Sequence, residues 1–176
     1  MNNKAYQGIE QAWRACLKVR ALCPSANDNL IGCTGYPSPG FYVQRGIKFF
    51  VKPEKPFTPD DLAELRDMTA FVNRSFIIVM VAILEAHGVV PYRTDPDQSR
   101  EGGKHTYLVK KLRNKFAHGE IDYNPGDEEH VEIRELMEEL LPNAKDLIKE
   151  HHNFPAAINS VLEPLKDGVL LYVASA

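Results

Sequence analysis

Apolar residues recur near helical spacing at Ile9, Trp13, Cys16, Leu17 and Val19, so the spacing predicts an amphipathic helix from about Lys4 to Leu22. The pattern then breaks. From Pro24 to Gly40 the chain collects Pro, Gly, Ser, Asn and Asp, which punctuate turns. Phe41 to Val51 reads as β-prone with Gly46 at a turn or bulge, and Gly168 to Val173 is the comparable segment elsewhere, so a small hairpin or ladder is expected there. Thr58-Pro59-Asp60-Asp61 is a helix start: Thr as cap, Pro in the first helical position, and carboxylates at the positive end of the dipole. That helix is expected to reach about Ala86, amphipathic through Leu62, Leu65, Met68 and Val72, then apolar on every side from Phe76 to Leu84.

A polar loop from Gly88 to Gly103 follows, long for a helix connection, and loops of that length tend to carry function. Lys104 to His118 reads as a helix with Leu108, Leu112 and Phe116 on one side and Gly119 just past its end. Asn124-Pro125-Gly126 turns the chain, and Asp127 caps a helix carrying Val131, Met137, Leu140 and Leu141. Pro142 kinks or restarts it, a helical piece with Leu147 and Ile148 ends near His151-His152, and Phe154 to Leu165 forms a short final helix. The expected fold is mostly α: one domain over residues 1–176, an antiparallel helical bundle of about four to six helices with a minor β hairpin or ladder.

Composition adds bounds. A chain of 176 residues, 44% hydrophobic and 26% charged, is large enough for a real core. The longest apolar run falls short of the ~20 residues a membrane span needs, and the first residues show no secretory pattern, so the protein is expected to be cytoplasmic, away from membranes. Cys16, Cys23 and Cys33 have no paired spacing, which suggests neither a disulfide framework nor a thiolate zinc site. Net charge of −3 argues against bulk DNA binding. The charge is patterned, however: Lys104, Lys110, Lys111, Arg113 and Lys115 occur with no intervening acid, and acids dominate from Glu120 to Glu139. Two readings follow, a local basic patch that attracts a polyanion, or a basic and an acidic helix face bridged by internal ion pairs.

The chemistry concentrates in Leu112-Arg113-Asn114-Lys115-Phe116-Ala117-His118-Gly119. At ~100° per residue, Arg113, Asn114 and His118 lie on the arc opposite Leu108, Leu112 and Phe116, with small Ala117 among them. A fixed cation, a carboxamide and a side chain that exchanges protons near neutral pH are what metal-free cleavage of an RNA phosphodiester requires. A surface cation and a His on a last helical turn would read the same way. Aromatic residues Trp13, Phe41, Tyr42, Phe49 and Phe50 either stack bases or, more ordinarily, fill a core. His87 and His105 read as surface residues, and His151-His152 as a solvated helix end.

Arg-Asn-x-x-x-His-Gly late in a helix of a small α-helical protein resembles the HEPN superfamily, whose R-x(4-6)-H motif marks metal-independent ribonucleases. Arg74-Ser75 and Glu85 on the preceding helix are similar to an Arg-Ser pair and a helix-borne Glu in some bacterial branches. The resemblance covers about Pro59 to Glu150 and leaves an N-terminal extension, residues 1–58, unexplained. It implies an RNA-cleaving homodimer of the toxin-antitoxin or phage-defence type, with an antitoxin protein as its neutralising partner and no cofactor or metal. Arg113, Asn114 and His118 are the implied catalytic set, Glu85 a support for Arg113, and Lys110, Lys111 and Lys115 the RNA-guiding cations. A HEPN-like dimer that binds nucleotide or RNA without cutting, and a purely structural helical adaptor, are the alternatives.

Overall fold

A computed structural model of the chain describes residues 2–22, 28–37, 44–120, 122–141 and 153–175. The expected helix with Leu147, Ile148 and His151-His152 lies outside the described residues, as do Cys23, Phe41 and Tyr42. In chain order the elements are α1 (Asn3–Leu22), β1 (Tyr36–Pro37), β2 (Phe50–Val51), α2 (Pro59–Ala86), α3 (Gly103–Ala117), α4 (Glu128–Leu140), α5 (Phe154–Ala157) and α6 (Leu162–Ala174), with short 3-10 turns at Asp28–Leu30 and Ile158–Ser160. The fold is mostly α with a small antiparallel β pair, in which Tyr36 pairs with Val51 and Pro37 with Phe50.

Two compact units divide the chain, one comprising Met1–Ala12 and Asn73–Ala176, the other Trp13–Val72. In the smaller unit Trp13, Cys16, Leu17, Ala21, Tyr36, Leu62 and Leu65 are buried. The Tyr36 hydroxyl donates to the Leu22 carbonyl at 2.8 Å and its ring lies 5.6 Å from that of Phe57. Val19, counted with the apolar face in the sequence pattern, is exposed, because at ~100° per residue it falls roughly 140° from the centre of the arc set by Trp13 and Leu17. Thr58 caps α2 as its sequence demands: its amide donates to Asp61 Oδ2 at 2.7 Å and the Asp61 amide donates back to its hydroxyl at 3.3 Å. The Thr58 hydroxyl, donating to Asp61 Oδ2 at 2.7 Å, and then the Thr58 amide hold the Asp61 carboxyl below its usual range.

The larger unit contains the motif helix. Ala5 and Ile9 of α1, Ile77, Met80 and Leu84 of α2, and Leu108, Val109 and Leu112 of α3 are at most 1% exposed, as are Ile133 and Met137 of α4 and Leu162, Leu165, Val169 and Val173 of α6. Each of the larger side chains among these contributes about 1.5–3 kcal/mol relative to exposure. The stretch of α2 from Phe76 to Leu84 is not buried all round: Val79 and Ala82 face outward. By length and composition alone α2 is long and apolar enough to cross a membrane. Inside it, fully buried Asn73 donates to the Pro155 carbonyl at 3.1 Å and to Asn159 Oδ1 at 3.2 Å, contacts of a helix packed against protein.

Gly168 to Val173 is helical rather than a strand, because these residues continue the i, i+3, i+4 spacing of Leu162 and Leu165 along the buried face of α6. Accordingly the final helix does not end at Leu165; Phe154 to Ser160 is a short helical turn pair, and α6 runs to Ala174. α3 packs on both α4 and α6. At its start Gly102 and Gly103 permit close backbone approach: a Cβ on Gly102 would stand 2.1 Å from the Gly168 carbonyl oxygen, and one on Gly103 2.1 Å from that of Asp97. His105 is half-buried against Gly168 rather than on the surface, and burial pushes its pKa below the usual histidine value.

Asp127 caps α4 by accepting the amides of Glu129 at 2.9 Å and His130 at 3.2 Å. The His130 amide is the largest influence holding the Asp127 carboxyl below its usual range. A carboxyl whose folded pKa is depressed stabilises above its unfolded value, and that contribution is lost as pH falls through the folded value. Asp127→Asn keeps a capping acceptor but cannot titrate. Urea denaturation from pH 7 to pH 3 is therefore expected to show a shallower acid loss in Asp127→Asn than in the wild type.

Candidate active site

The motif helix closes with a local device that fixes His118. Gly119, at φ 76°, occupies the left-handed position after the helix end. Its amide donates to the Phe116 carbonyl at 3.3 Å, and the Glu120 amide to that of Lys115 at 2.9 Å, the paired bonds of a Schellman ending. His118 is the last half-helical residue, its own amide 3.2 Å from the Asn114 and Lys115 carbonyls, so its backbone is held and its side chain is exposed.

Arg113, Asn114 and His118 line one open groove of about 590 Å³ together with Tyr92, Arg93, Asp95, Lys110, Lys115, Glu120 and Glu129. The Arg113 Nη2 forms an ion pair with the Glu85 carboxylate of α2, both side chains largely buried at 17% and 20% exposure. Guanidinium carries five donors, so this pair fixes Arg113 and leaves others for an anion in the groove. The Arg113 guanidinium also lies 5.7 Å from the centre of the exposed Tyr92 ring. Neither the Asn114 carboxamide nor the His118 imidazole makes a hydrogen bond among the described residues. Three polar groups with different chemistry thus share one water-accessible groove, one anchored and two unengaged.

The lysines of α3 are held differently from Arg93. Lys110, 7% exposed, donates from Nζ to the Thr94 carbonyl at 2.5 Å and to Asp95 at 3.3 Å, tying down the loop that precedes α3. Lys115, also 7% exposed, meets Glu120 at 2.8 Å, Glu129 at 2.9 Å and Asp127 at 3.5 Å. Burial alone would lower its pKa, but Glu120 and Glu129 outweigh that and raise it. Lys111 reaches Glu129 and Glu132, each at 3.2 Å, and Lys104 pairs with Glu139. Of the two charge readings, the structure therefore has the internal bridging of α3 to α4. Lys115 lies seven residues beyond Leu108, on nearly the same line of the helix, which turns it toward α4. Among the described residues of the groove, Arg93 is the cation with no carboxylate partner.

Glu120, Asp127 and His130 place one ligand atom each within 4.8 Å of one another and form a candidate cation site. His130 Nδ1 accepts the Asn124 amide at 3.0 Å, which puts the ring proton on Nε2, the nitrogen 3.8 Å from both carboxylates. A donor there cannot ligate a metal, and both carboxylates are already paired with the Lys115 ammonium. The cluster is read as structural.

Sequence patterning missed Tyr92, Arg93 and buried His130. The first two sit in a loop without periodicity; an aromatic-basic pair in an unusually long helix connection was the available signal. Of the aromatics weighed for stacking, Trp13 is buried and Phe50 is 70% exposed in the smaller unit. No protein-family model, curated protein or solved structure matches the chain.

Proposed function

We propose that the protein is a metal-independent endoribonuclease of HEPN type. The observation that carries this reading is the meeting of Arg113, Asn114 and an unengaged His118 in one open groove, with Arg113 braced by Glu85. In the proposed reaction the substrate 2′-hydroxyl attacks phosphorus and the bond to the 5′-oxygen breaks, leaving a 2′,3′-cyclic phosphate and a 5′-hydroxyl. His118 takes the proton of the attacking hydroxyl or gives one to the leaving oxygen. Arg113 holds the non-bridging oxygens as negative charge grows on them, and Asn114 orients the phosphate or the imidazole. A homodimer with two motif helices facing one cleft supplies both proton-transfer roles, one from each His118. The outward Val79 and Ala82 of α2 offer that dimer an apolar surface. The activity fits a cytoplasmic toxin or phage-defence effector with a neutralising antitoxin protein.

A second reading has its own support: Glu85 on Arg113 and carboxylates on Lys111 and Lys115 leave little free positive charge for a phosphate backbone, which suits a non-catalytic HEPN-like scaffold dimer. Incubation of the purified protein with several RNA classes in EDTA, followed by analysis of product ends, separates the two. Cyclic phosphate ends are expected. Products with 5′-phosphate ends, or no products, would reject the ribonuclease.

A further inference from the structure

The loop between α2 and α3 is tied at several points yet presents its most apolar exposed ring outward. Val90 is 2% exposed, Lys110 holds Thr94 and Asp95, the Asp97 amide donates to the Tyr172 hydroxyl at 3.2 Å, and the Arg100 guanidinium stacks 4.2 Å from the Tyr172 ring. Between the first two of these anchors stand Tyr92, 66% exposed, and exposed Arg93. The Tyr92 ring is too exposed to serve the core, and the cation it faces is the Arg113 guanidinium. A flat ring held over water beside an anion-binding guanidinium is a preorganised surface for a planar group attached to a phosphate.

Resting on the ribonuclease reading, we infer that Tyr92 stacks an unpaired nucleobase next to the phosphate held by Arg113, with Arg93 on a neighbouring phosphate, so that the substrate is single-stranded RNA. A base inside a duplex has both faces covered and cannot reach the ring, whereas unstacked bases of single strands are the ordinary partners of exposed aromatics. The groove, about 590 Å³ and open to water, has room for one nucleotide unit beside Arg113. Lys110, through its bond to the Thr94 carbonyl, ties down the loop that carries Tyr92.

The test is binding, read by fluorescence anisotropy with a labelled oligouridylate in a His118→Ala background, so that no strand is cut. In that background Tyr92→Ala is expected to weaken binding about tenfold or more, Tyr92→Phe to restore it, and the oligouridylate annealed to its complement to bind as weakly as the single strand does to the Tyr92→Ala protein. Equal affinity with and without the Tyr92→Ala substitution, equal affinity for single strand and duplex, or absence of binding would each overturn the inference. Cleavage by the wild-type protein, followed in parallel, keeps the two readings apart: Tyr92-dependent binding without cleavage removes the ribonuclease and leaves the stacking site.

Discussion

Gly102→Val is expected to be the most destabilising single substitution at the start of the motif helix. The residue adopts φ 73°, which costs a side chain with a Cβ about 1–2 kcal/mol. Space adds to this. The new Cβ would stand 2.1 Å from the Gly168 carbonyl oxygen and 2.7 Å from the Tyr172 amide nitrogen, backbone atoms of α6 that cannot rotate away. Forced separation of α3 from α6 adds about 1–3 kcal/mol by the usual cost of overpacking. Urea denaturation should show a midpoint well below wild type with little change in slope. A midpoint equal to wild type would mean that α3 and α6 do not cross at these glycines.

His118→Ala is expected to slow RNA cleavage by about 10²–10⁴-fold, the usual worth of a positioned proton-transfer group. The loss should be chemical rather than structural. His118 is exposed, and its contribution to the helix end is made by its backbone amide, which Ala retains. The same substitution should therefore leave the thermal midpoint and the circular dichroism spectrum near those of the wild type. Loss of cleavage together with loss of fold would point instead to a structural imidazole.

The elements legible in the sequence are those written in local chemistry. Thr58 and Asp61 cap α2, Asp127 caps α4, and Gly119 closes α3, each through bonds spanning only a few residues. The outward arc of Arg113, Asn114 and His118 follows from helical geometry in the same way. Misreadings arise where a distant segment decides. Lys110 points away from the Leu108 face and reads as free from spacing alone, yet the preceding loop folds over it and takes its charge. Gly168 to Val173 is apolar enough for either a strand or a buried helix, and only its continuity with Leu162 and Leu165 selects the helix. Tyr92 has no period to mark it. The ion pair of Arg113 with Glu85 joins residues 28 apart, so spacing suggests the partner but not its geometry.

In the proposed reaction the groove at the end of α3 cuts RNA through His118 without a metal. Its most direct test is cleavage of one end-labelled single-stranded RNA, in EDTA, by wild type and His118→Ala at equal concentration. Cyclic phosphate ends accumulating with the wild type, at least about a hundredfold faster than with the variant, is the expected result. Equal rates from the two proteins would contradict it.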